Sequence, residues 1–548
     1  MKSISLLSLF LGINSGIIFA SETPQAPPTE TEAQTKTTEP GAEAQAAADE
    51  ARFDLLELRV KGNTLLENTV IERTVYPYLG PNKNIDTVDK ARSALEDMYR
   101  NKGYQTVSVD IPEQNVENGV VYLQIIEGKV SRLRVTDSRY FSLGRIKTGI
   151  PELAEGKVPN MPVMQKQLEE LGNQSEDRKI TPVLRAGDTP GTLEVDLKVK
   201  DQLPLHGRVE LNGRNTSSTS RLRLVSSLHY DNLWQKFHSA SLMYQVSPEN
   251  NDEVDVWAGT YAMPIPYTDA KLALYAVSSS SNAQIANAGA LSVVGIGNIY
   301  GLRFIKPLPG FDNYSHSLTL GADYKDFQED LILIGADKLV TPIAYLPFMV
   351  QYSASINNEE SQASFNIEAN FAVRGLGNTP DEFERKRFNA RPDYAYLAAD
   401  ASYNHDLPYE MELASRFSAQ LADSPLISNE QFSLGGMDSI RGYFETQALS
   451  DNGLSGSLEL RSPRLAPLSF DYIDKLQALA FVDGGVGGIK QALPGSPKSY
   501  SLASAGFGVR FQMWKYFNGV LDLGFPLLTL DPVKAGDPKL HFSVAAAF

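Results

Sequence analysis

The last two thirds of the chain alternate apolar and polar residues in segments of strand length. Apolar residues take every second position in 503–513 and all but one of the alternate positions in 411–421, where Ser415 is the exception, and the C-terminal segment places Phe542, Val544 and Phe548 on one face. A period of two indicates strands with one apolar face, and segments of about ten residues suit tilted strands that cross a bilayer. The pattern therefore predicts a transmembrane β-barrel over residues 205–548.

Counting these segments gives an even number of strands, as a bacterial single-chain barrel requires. The sixteen predicted strands lie near 206–215, 220–230, 236–246, 253–263, 270–279, 294–306, 314–326, 343–356, 361–374, 393–405, 410–421, 454–464, 475–485, 500–512, 516–524 and 539–548. Their connections alternate in length: 422–453 is the longest, whereas 406–409 and 513–515 are short. With both barrel ends in the periplasm, the long connections face outward.

The preceding residues mix helical and strand periods and predict two small α+β domains, 51–130 and 131–204. The first begins with a strand over Phe53–Val60 and contains a helix capped by Asp86 and ended by Gly103. Helical spacing, N-cap chemistry and turn glycines support these boundaries. Both domains follow the order β-α-α-β-β; the second has strands near 131–136, 180–184 and 193–199 and helices near 143–150 and 162–171.

The N-terminus predicts two segments that precede the folded domains. Lys2 and the mostly apolar stretch from Ile4 to Ala20 are typical of a secretory signal peptide, assigned to residues 1–20. Residues 21–50 carry seven acids against one lysine, four prolines and no Val, Ile, Leu, Phe or Tyr. Such a segment cannot bury enough apolar surface to fold, so we expect a disordered acidic linker rich in Pro, Thr and Ala.

Composition narrows the class of protein further. The 548 residues contain no cysteine, which excludes disulfides and thiolate metal sites, and the net charge of −16 argues against nucleic-acid binding. Mean hydropathy is −0.23, which argues against a bundle of membrane helices. The six histidines show no metal or triad spacing, so we predict no catalytic residue, metal or cofactor.

Two segments of the predicted barrel carry candidate functional residues. The longest outer connection contains Ile440-Arg441-Gly442-Tyr443, and a loop of this length with an arginine flanked by apolar residues could fold inward. In the strand 475–485, the apolar face leaves Phe481 and Asp483 pointing into the lumen. A carboxylate in a crowded lumen is solvated or paired, and a bidentate arginine is its best partner.

The two small domains resemble POTRA domains, the first of them of the ShlB type. The residues that carry this resemblance lie in VKGNTLL, PYLG, YRNKGY and NGVVYLQIIEGKV, and include Gly62, Gly80, Tyr99, Gly103, Tyr104 and Gly128. Residues 440–443 resemble the V-R-G-F/Y motif of the BamA-type outer-membrane superfamily, with Ile440 in place of valine. Phe481, Asp483 and Gly485 match its F-x-D-x-G strand motif, which implies that Arg441 pairs with Asp483.

Taken together, the chain resembles a two-partner-secretion transporter (TpsB; ShlB/FhaC-like). The resemblance implies a 16-stranded antiparallel barrel in a Gram-negative outer membrane, with two periplasmic POTRA domains that capture an unfolded partner exoprotein and a barrel that conducts it outward. Phe542, Val544 and Phe548 would form the C-terminal signal read by the barrel-assembly machinery before insertion into outer-membrane lipid. The alternative is an insertion factor for other barrels, although relatives of that kind usually have more POTRA domains.

Two points stay open at the level of sequence. The Arg441–Asp483 pair is either a purely structural clip that holds the loop or part of a gate. Some relatives plug the pore with an N-terminal helix, but the roughly thirty residues before Phe53 would give a helix near 41–52 only a short tether.

Overall fold

The computed structural model describes residues 52–548 apart from 117, 267, 281–285, 289–290, 294, 312, 332–338 and 466–471. The predicted signal peptide, the linker and the segment considered for a plug helix lie outside the described residues, except for Arg52. The chain divides at Pro204 into two compact units, each of which is described by itself. Within the described residues, no helix is both long and apolar enough to cross a membrane.

The first α+β domain packs two helices on a mixed three-stranded sheet. The elements are β1 (Phe53–Leu55), β2 (Glu57–Lys61), α1 (Asn68–Val75), β3 (Gly80–Lys83), α2 (Ile85–Asn101), β4 (Val107–Asp110) and β5 (Val120–Glu127). In the sheet β2 runs parallel to β5, which pairs antiparallel with β4, and β1 and β3 form a separate two-stranded ribbon. The apolar face of the longer helix, with Val88, Leu95 and Tyr99, is fully buried and forms the core with Leu123.

Two details of this domain correct the sequence prediction. The strand expected over Phe53–Val60 is broken at Leu56, which is 67% exposed and whose N–H donates to the Gly119 carbonyl (2.8 Å) instead of joining a ladder. The helix is capped by Asn84, whose side chain accepts from the Thr87 N–H (3.2 Å), so Asp86 lies inside the first turn and is not the cap. Both residue types suit either position, and only the backbone conformation distinguishes them.

The second α+β domain repeats the mixed sheet of the first. Its elements are β6 (Lys129–Thr136), α3 (Leu143–Thr148), α4 (Met161–Gly172), β7 (Arg178–Ala186) and β8 (Thr192–Asp201). Strand β6 runs parallel to β8, and β7 pairs antiparallel with β8. The core of the domain contains Ile146, Ile150, Leu153, Val195 and Leu197.

The rest of the chain closes into an antiparallel barrel. Its strands and those of its connections, in chain order, are β9 (Leu205–Asn212), β10 (Arg223–Leu233), β11 (His238–Val246), β12 (Asp255–Pro264), β13 (Lys271–Ser279), β14 (Ala286–Ala288), β15 (Leu291–Val293), β16 (Gly297–Phe311), β17 (Tyr314–Leu331), β18 (Leu339–Tyr345), β19 (Pro347–Asn357), β20 (Ser361–Ala372), β21 (Ala395–Leu407), β22 (Met411–Ala422), β23 (Phe432–Leu434), β24 (Ala448–Ser450), β25 (Asn452–Arg461), β26 (Ile473–Gly488), β27 (Ser499–Met513), β28 (Phe517–Pro526) and β29 (Lys539–Ala547).

The barrel has the predicted sixteen strands, because β18 and β19 both pair with β17 and form one strand interrupted at Leu346. The first and last strands, β9 and β29, close it. The predicted alternation holds: in β26 Phe481 and Asp483 are buried in the interior, whereas Val482 faces outward. The large apolar side chains Leu540 and Val544 of β29 also face outward, and Phe548 exchanges backbone hydrogen bonds with Gly207 of β9 (both 3.0 Å).

The long connections contain structure that strand periodicity did not predict. Helix α5 (Pro380–Lys386) lies in the connection between β20 and β21, and β14 pairs with β15 in the connection after β13. The longest connection contains a hairpin of β23 and β24. The strands of three residues and the helix of seven residues are all too short for a period to be read from them, which explains why they were missed.

Candidate functional site

The longest connection of the barrel, residues 423–451, is folded inward and buried. Its hairpin and its tip form an apolar cluster that includes Leu434, Ile440 and Tyr443, all without exposed surface. At the base of the connection, Arg387 Nη2 donates to Asp451 Oδ2 (2.6 Å). This connection is one of the long ones predicted to face outward, yet it is packed inside the barrel. We call residues 423–451 the lumenal loop.

At the tip of the lumenal loop, the Arg441 side chain is fully buried and every N–H of its guanidinium has an acceptor. Nε and Nη2 donate to the two carboxylate oxygens of Asp483 (both 2.8 Å). Nη1 donates to Glu459 (2.7 Å) and Asp522 (3.3 Å), and Nη2 also to the Ser457 hydroxyl (3.0 Å). A guanidinium has five N–H donors in a planar fork, and this arrangement uses all five.

The three carboxylates around Arg441 differ in how they depend on it. Glu459 also accepts from Arg461 (2.8 Å), and Asp522 from Arg510 (2.8 Å). Asp483, which is 1% exposed, has Arg441 as its sole cationic hydrogen-bond partner among the described residues, and it also accepts from the Arg441 backbone N–H (3.0 Å). Removing Arg441 would therefore leave Asp483 as a buried carboxylate without a cation.

Electrostatics keep Arg441 charged in spite of its burial. Desolvation by itself would lower its pKa, but the hydrogen bond to Asp483 and the charges of the three carboxylates outweigh that effect and raise the pKa above its usual value. The guanidinium carbon also lies 3.4 Å from the centroid of the Phe481 ring. A desolvated cation over an aromatic face gains further attraction, so Phe481 acts as a support beneath the Arg441–Asp483 pair.

The residues after Arg441 hold the tip against the last strands. Gly442 has a φ of +91° and donates its N–H to His541 Nε2 of β29 (2.8 Å). The Tyr443 hydroxyl donates to the Leu528 carbonyl (2.7 Å). The positive φ favours glycine at this turn, because a side chain in that conformation is strained.

Gly485 lies where the lumenal loop touches the wall. A Cβ at this position would lie 2.7 Å from Ile440 Cδ1 and 2.8 Å from Leu434 Cδ2. The glycine of the F-x-D-x-G motif is thus explained by close approach of the loop. The structure brings together all the loop and strand residues named from the sequence, namely Ile440, Arg441, Gly442, Tyr443, Phe481, Asp483 and Gly485.

Several members of the site were missed by sequence reasoning: Glu459, Asp522 and His541. The alternation of apolar and polar residues in their strands shows that Glu459, between Leu458 and Leu460, points into the lumen. The depth of these three side chains along the barrel axis could not be predicted, because it depends on the stagger between strands. The remaining histidines include His229, whose Nε2 lies 2.7 Å from Asp231; the absence of a metal site stays a prediction.

The residues of the POTRA signature lie at turns and in the core of the first domain. Tyr99 is fully buried, and its hydroxyl donates to Asn63 (2.7 Å). Gly103 follows α2 with a φ of +94°, and its carbonyl accepts from the Met161 N–H of the second domain (2.9 Å). Tyr104 packs against the core, while Gly62, Gly80 and Gly128 lie at the ends of strands.

A closed sixteen-stranded barrel, an arginine-anchored lumenal loop and two preceding α+β domains are the features of an outer-membrane protein of the BamA-type superfamily. Residues 191–511 match the haemolysin secretion/activation protein ShlB/FhaC/HecB family, and residues 53–128 match the ShlB-type POTRA domain. The chain belongs to this family and is an outer-membrane transporter of two-partner secretion, with its POTRA domains in the periplasm.

Relatives agree with this assignment. The outer membrane transporter CdiB of Dickeya dadantii (strain 3937) is 24% identical over 456 residues, 79% of this chain and 76% of that protein. The heme/hemopexin transporter protein HuxB of Haemophilus influenzae (strain 86-028NP) is 21% identical and covers 84% of this chain and 81% of its own length. The structure of CdiB from Escherichia coli aligns over 93% of both chains with a TM-score of 0.59 and 21% identity, which supports the fold.

Proposed function

We propose that this chain exports a single partner exoprotein through the lumen of its barrel, and that the lumenal loop lies on the export path. The observation that carries the proposal is the fully buried Arg441, whose five acceptors hold that loop inside the barrel. The loop is anchored there by ionic and polar groups. Such groups can exchange protein partners for water when the loop moves, whereas an apolar core could not.

In this proposal the cargo passes as an extended chain. The POTRA domains receive it unfolded in the periplasm, and folding outside the cell favours outward transit. The chain itself reaches outer-membrane lipid through the barrel-assembly machinery, which would read Phe542, Val544 and Phe548. No catalytic step by this chain is required, because transport of this kind breaks no covalent bond.

We further propose that the Arg441–Asp483 pair positions the loop for transport and is more than a structural clip. Arg441→Ala should reduce secretion while the barrel still assembles and migrates as a heat-modifiable band. A clip required only for folding would instead lower the amount of assembled barrel and the amount of secreted cargo in the same proportion.

The test of the function is deletion of the gene in the native host. We expect one exoprotein to disappear from the medium while the porin content of the outer membrane stays unchanged. Loss of porins together with the exoprotein would indicate the alternative function, insertion of other barrels. Unchanged release of every secreted protein would contradict export altogether.

A further inference from the structure

A second charged residue of the lumenal loop is buried against strands of the wall other than those that hold Arg441. Glu430 closes a short 3-10 turn (Ser428–Glu430), and its side chain is 2% exposed. Its Oε1 accepts from Lys325 Nζ (2.6 Å) and from the Tyr345 hydroxyl (2.6 Å). Its Oε2 accepts from the Tyr396 hydroxyl (2.9 Å). Three donors satisfy a carboxylate whose burial would otherwise be costly.

These donors come from a different sector of the barrel than the partners of Arg441. Lys325, Tyr345 and Tyr396 lie on β17, β18 and β21. The acceptors of Arg441 lie on β25, β26 and β28, which are separated from β21 by β22 in the barrel order. One connection is thus tied to two sectors of the wall, at Glu430 and eleven residues later at Arg441.

The surroundings of Glu430 show that its half of the loop is packed in place. Leu426 and Ile427, just before it, are buried in an apolar cluster with Tyr345 and Phe383 of α5. The ring of Phe383 packs edge-on against that of Tyr345 at 5.6 Å between centroids. The carboxylate forms the polar part of this contact, and the apolar cluster limits access of water to it.

We propose that Glu430 is the second anchor of the lumenal loop, a positioning residue that holds its first half across the lumen and keeps the resting pore closed to ions. This deepens the proposed function, because it assumes that the loop lies on the export path. Closure itself needs no cargo. Two anchors also imply that the halves of the loop can be released separately.

The proposal predicts a graded response to substitution of the anchor. Glu430→Gln keeps the size of the side chain but leaves the Lys325 ammonium without its counter-charge. A hydrogen bond to a charged group contributes enough that its loss should raise the open fraction by about ten- to a hundredfold. Tyr396→Phe removes one hydroxyl and keeps the ring, so it should give a smaller increase, of about a few-fold.

The experiment measures ion conductance of the full-length purified chain in planar lipid bilayers, with no cargo present. Glu430→Gln should raise the open fraction, and Lys325→Met in the same chain should restore it toward the wild-type value, because neither side chain of the original ion pair is then charged. Two control variants carry the same chemical changes at exposed positions. Tyr403→Phe is the control for Tyr396→Phe, since Tyr403 is also on β21 but exposed on the outer face, and Glu410→Gln, in an exposed turn, is the control for Glu430→Gln.

An open fraction of Glu430→Gln equal to that of the wild type would overturn the proposal. An equal rise of the open fraction in the two control variants would overturn it as well. If Glu430→Gln fails to assemble, Tyr396→Phe decides: an unchanged open fraction in an assembled Tyr396→Phe barrel also overturns it. Because no cargo is involved, a raised open fraction in Glu430→Gln would support the second anchor even if deletion of the chain left the release of every exoprotein unchanged, a result that would count against the proposed export path alone.

Discussion

Replacing Arg441 by alanine tests the ionic anchor of the lumenal loop most directly. The substitution removes the guanidinium and leaves Asp483, which is 1% exposed, without a cationic partner. Glu459 and Asp522 keep Arg461 and Arg510. The dominant cost is therefore one uncompensated buried carboxylate, for which about 3–5 kcal/mol is typical.

That cost falls on the state in which the loop is inside the barrel, because Asp483 can be hydrated once the loop leaves. At about 1.4 kcal/mol per factor of ten, the population of the released loop should rise between about a hundredfold and several thousandfold. Water that enters beside Asp483 in the closed state reduces this cost, so we expect a rise of at least about a hundredfold.

A cysteine reporter can measure this population, because the chain contains no cysteine of its own. Ala448→Cys places a thiol on β24, at a position 5% exposed within the apolar cluster of the loop. Its labelling rate by a membrane-impermeant maleimide on intact cells reports how often the loop is released. Arg441→Ala should raise this rate by at least about a hundredfold.

The matched control is Arg391→Ala. Arg391 pairs with Asp423 at 2.9 Å, but the two side chains are 48% and 43% exposed, so their pair should contribute under about 1 kcal/mol and change the rate a few-fold at most. Equal labelling of wild type and Arg441→Ala, or an equal rise in Arg391→Ala, would refute the assignment of the anchor to the buried pair.

Three further substitutions follow from the same geometry. Phe481→Leu removes the ring under the guanidinium and should cost about 1–2 kcal/mol, seen as faster labelling of the cysteine reporter than in wild type but slower than with Arg441→Ala. Gly485→Ala should displace the loop and also speed labelling, because its Cβ would overlap two loop side chains. The control is Gly488→Ala on the same strand, whose Cβ meets nothing within 4 Å and which should be labelled at the wild-type rate. Similar labelling rates for the two alanine variants would argue against close approach of the loop to Gly485. Deleting Phe548 removes two backbone hydrogen bonds to Gly207 and an exposed terminal aromatic side chain. We therefore expect a smaller amount of assembled, heat-modifiable barrel on gels. A normal amount of assembled barrel would exclude this residue from the insertion signal.

The architecture of the barrel was predictable because each strand carries its own signal. A period of two fixes which side chains face outward, so the sequence correctly placed Phe481 and Asp483 inside and Val482 outside. The number of strands followed from the same pattern. The interruption at Leu346 could not be predicted, because the residues on both sides of it continue the same alternation of inward and outward side chains.

The partners of Arg441 could be predicted only in part. Asp483 was assigned through resemblance to the superfamily motif, since spacing alone cannot match a loop to one strand among sixteen. Glu459 and Asp522 face inward by the same parity rule, but their depth depends on strand stagger, which no single strand encodes. Glu430 was missed because an acidic residue in a long connection is ordinarily solvated.

Local chemistry limited the prediction of the first POTRA domain. Asn84 and Asp86 are both good cap residues two positions apart, and the choice between them depends on backbone angles. The break at Leu56 has a similar origin. The segment Phe53–Val60 has strand propensity throughout, but the Leu56 N–H donates to the Gly119 carbonyl. Tertiary contacts override propensity at both places.

Site-specific photocrosslinking of a stalled cargo tests the central claim, transit of one exoprotein through the barrel lumen. A photoreactive residue replaces Ser402, on the lumenal face of β21 that also carries Tyr396, or the adjacent outward-facing Tyr403. The cargo is the exoprotein whose release is lost on deletion of this chain, fused to a folded domain that halts its export. The account predicts crosslinks from position 402 and none from 403; crosslinks from 403 alone, or from neither position while the cargo is demonstrably stalled, would contradict it.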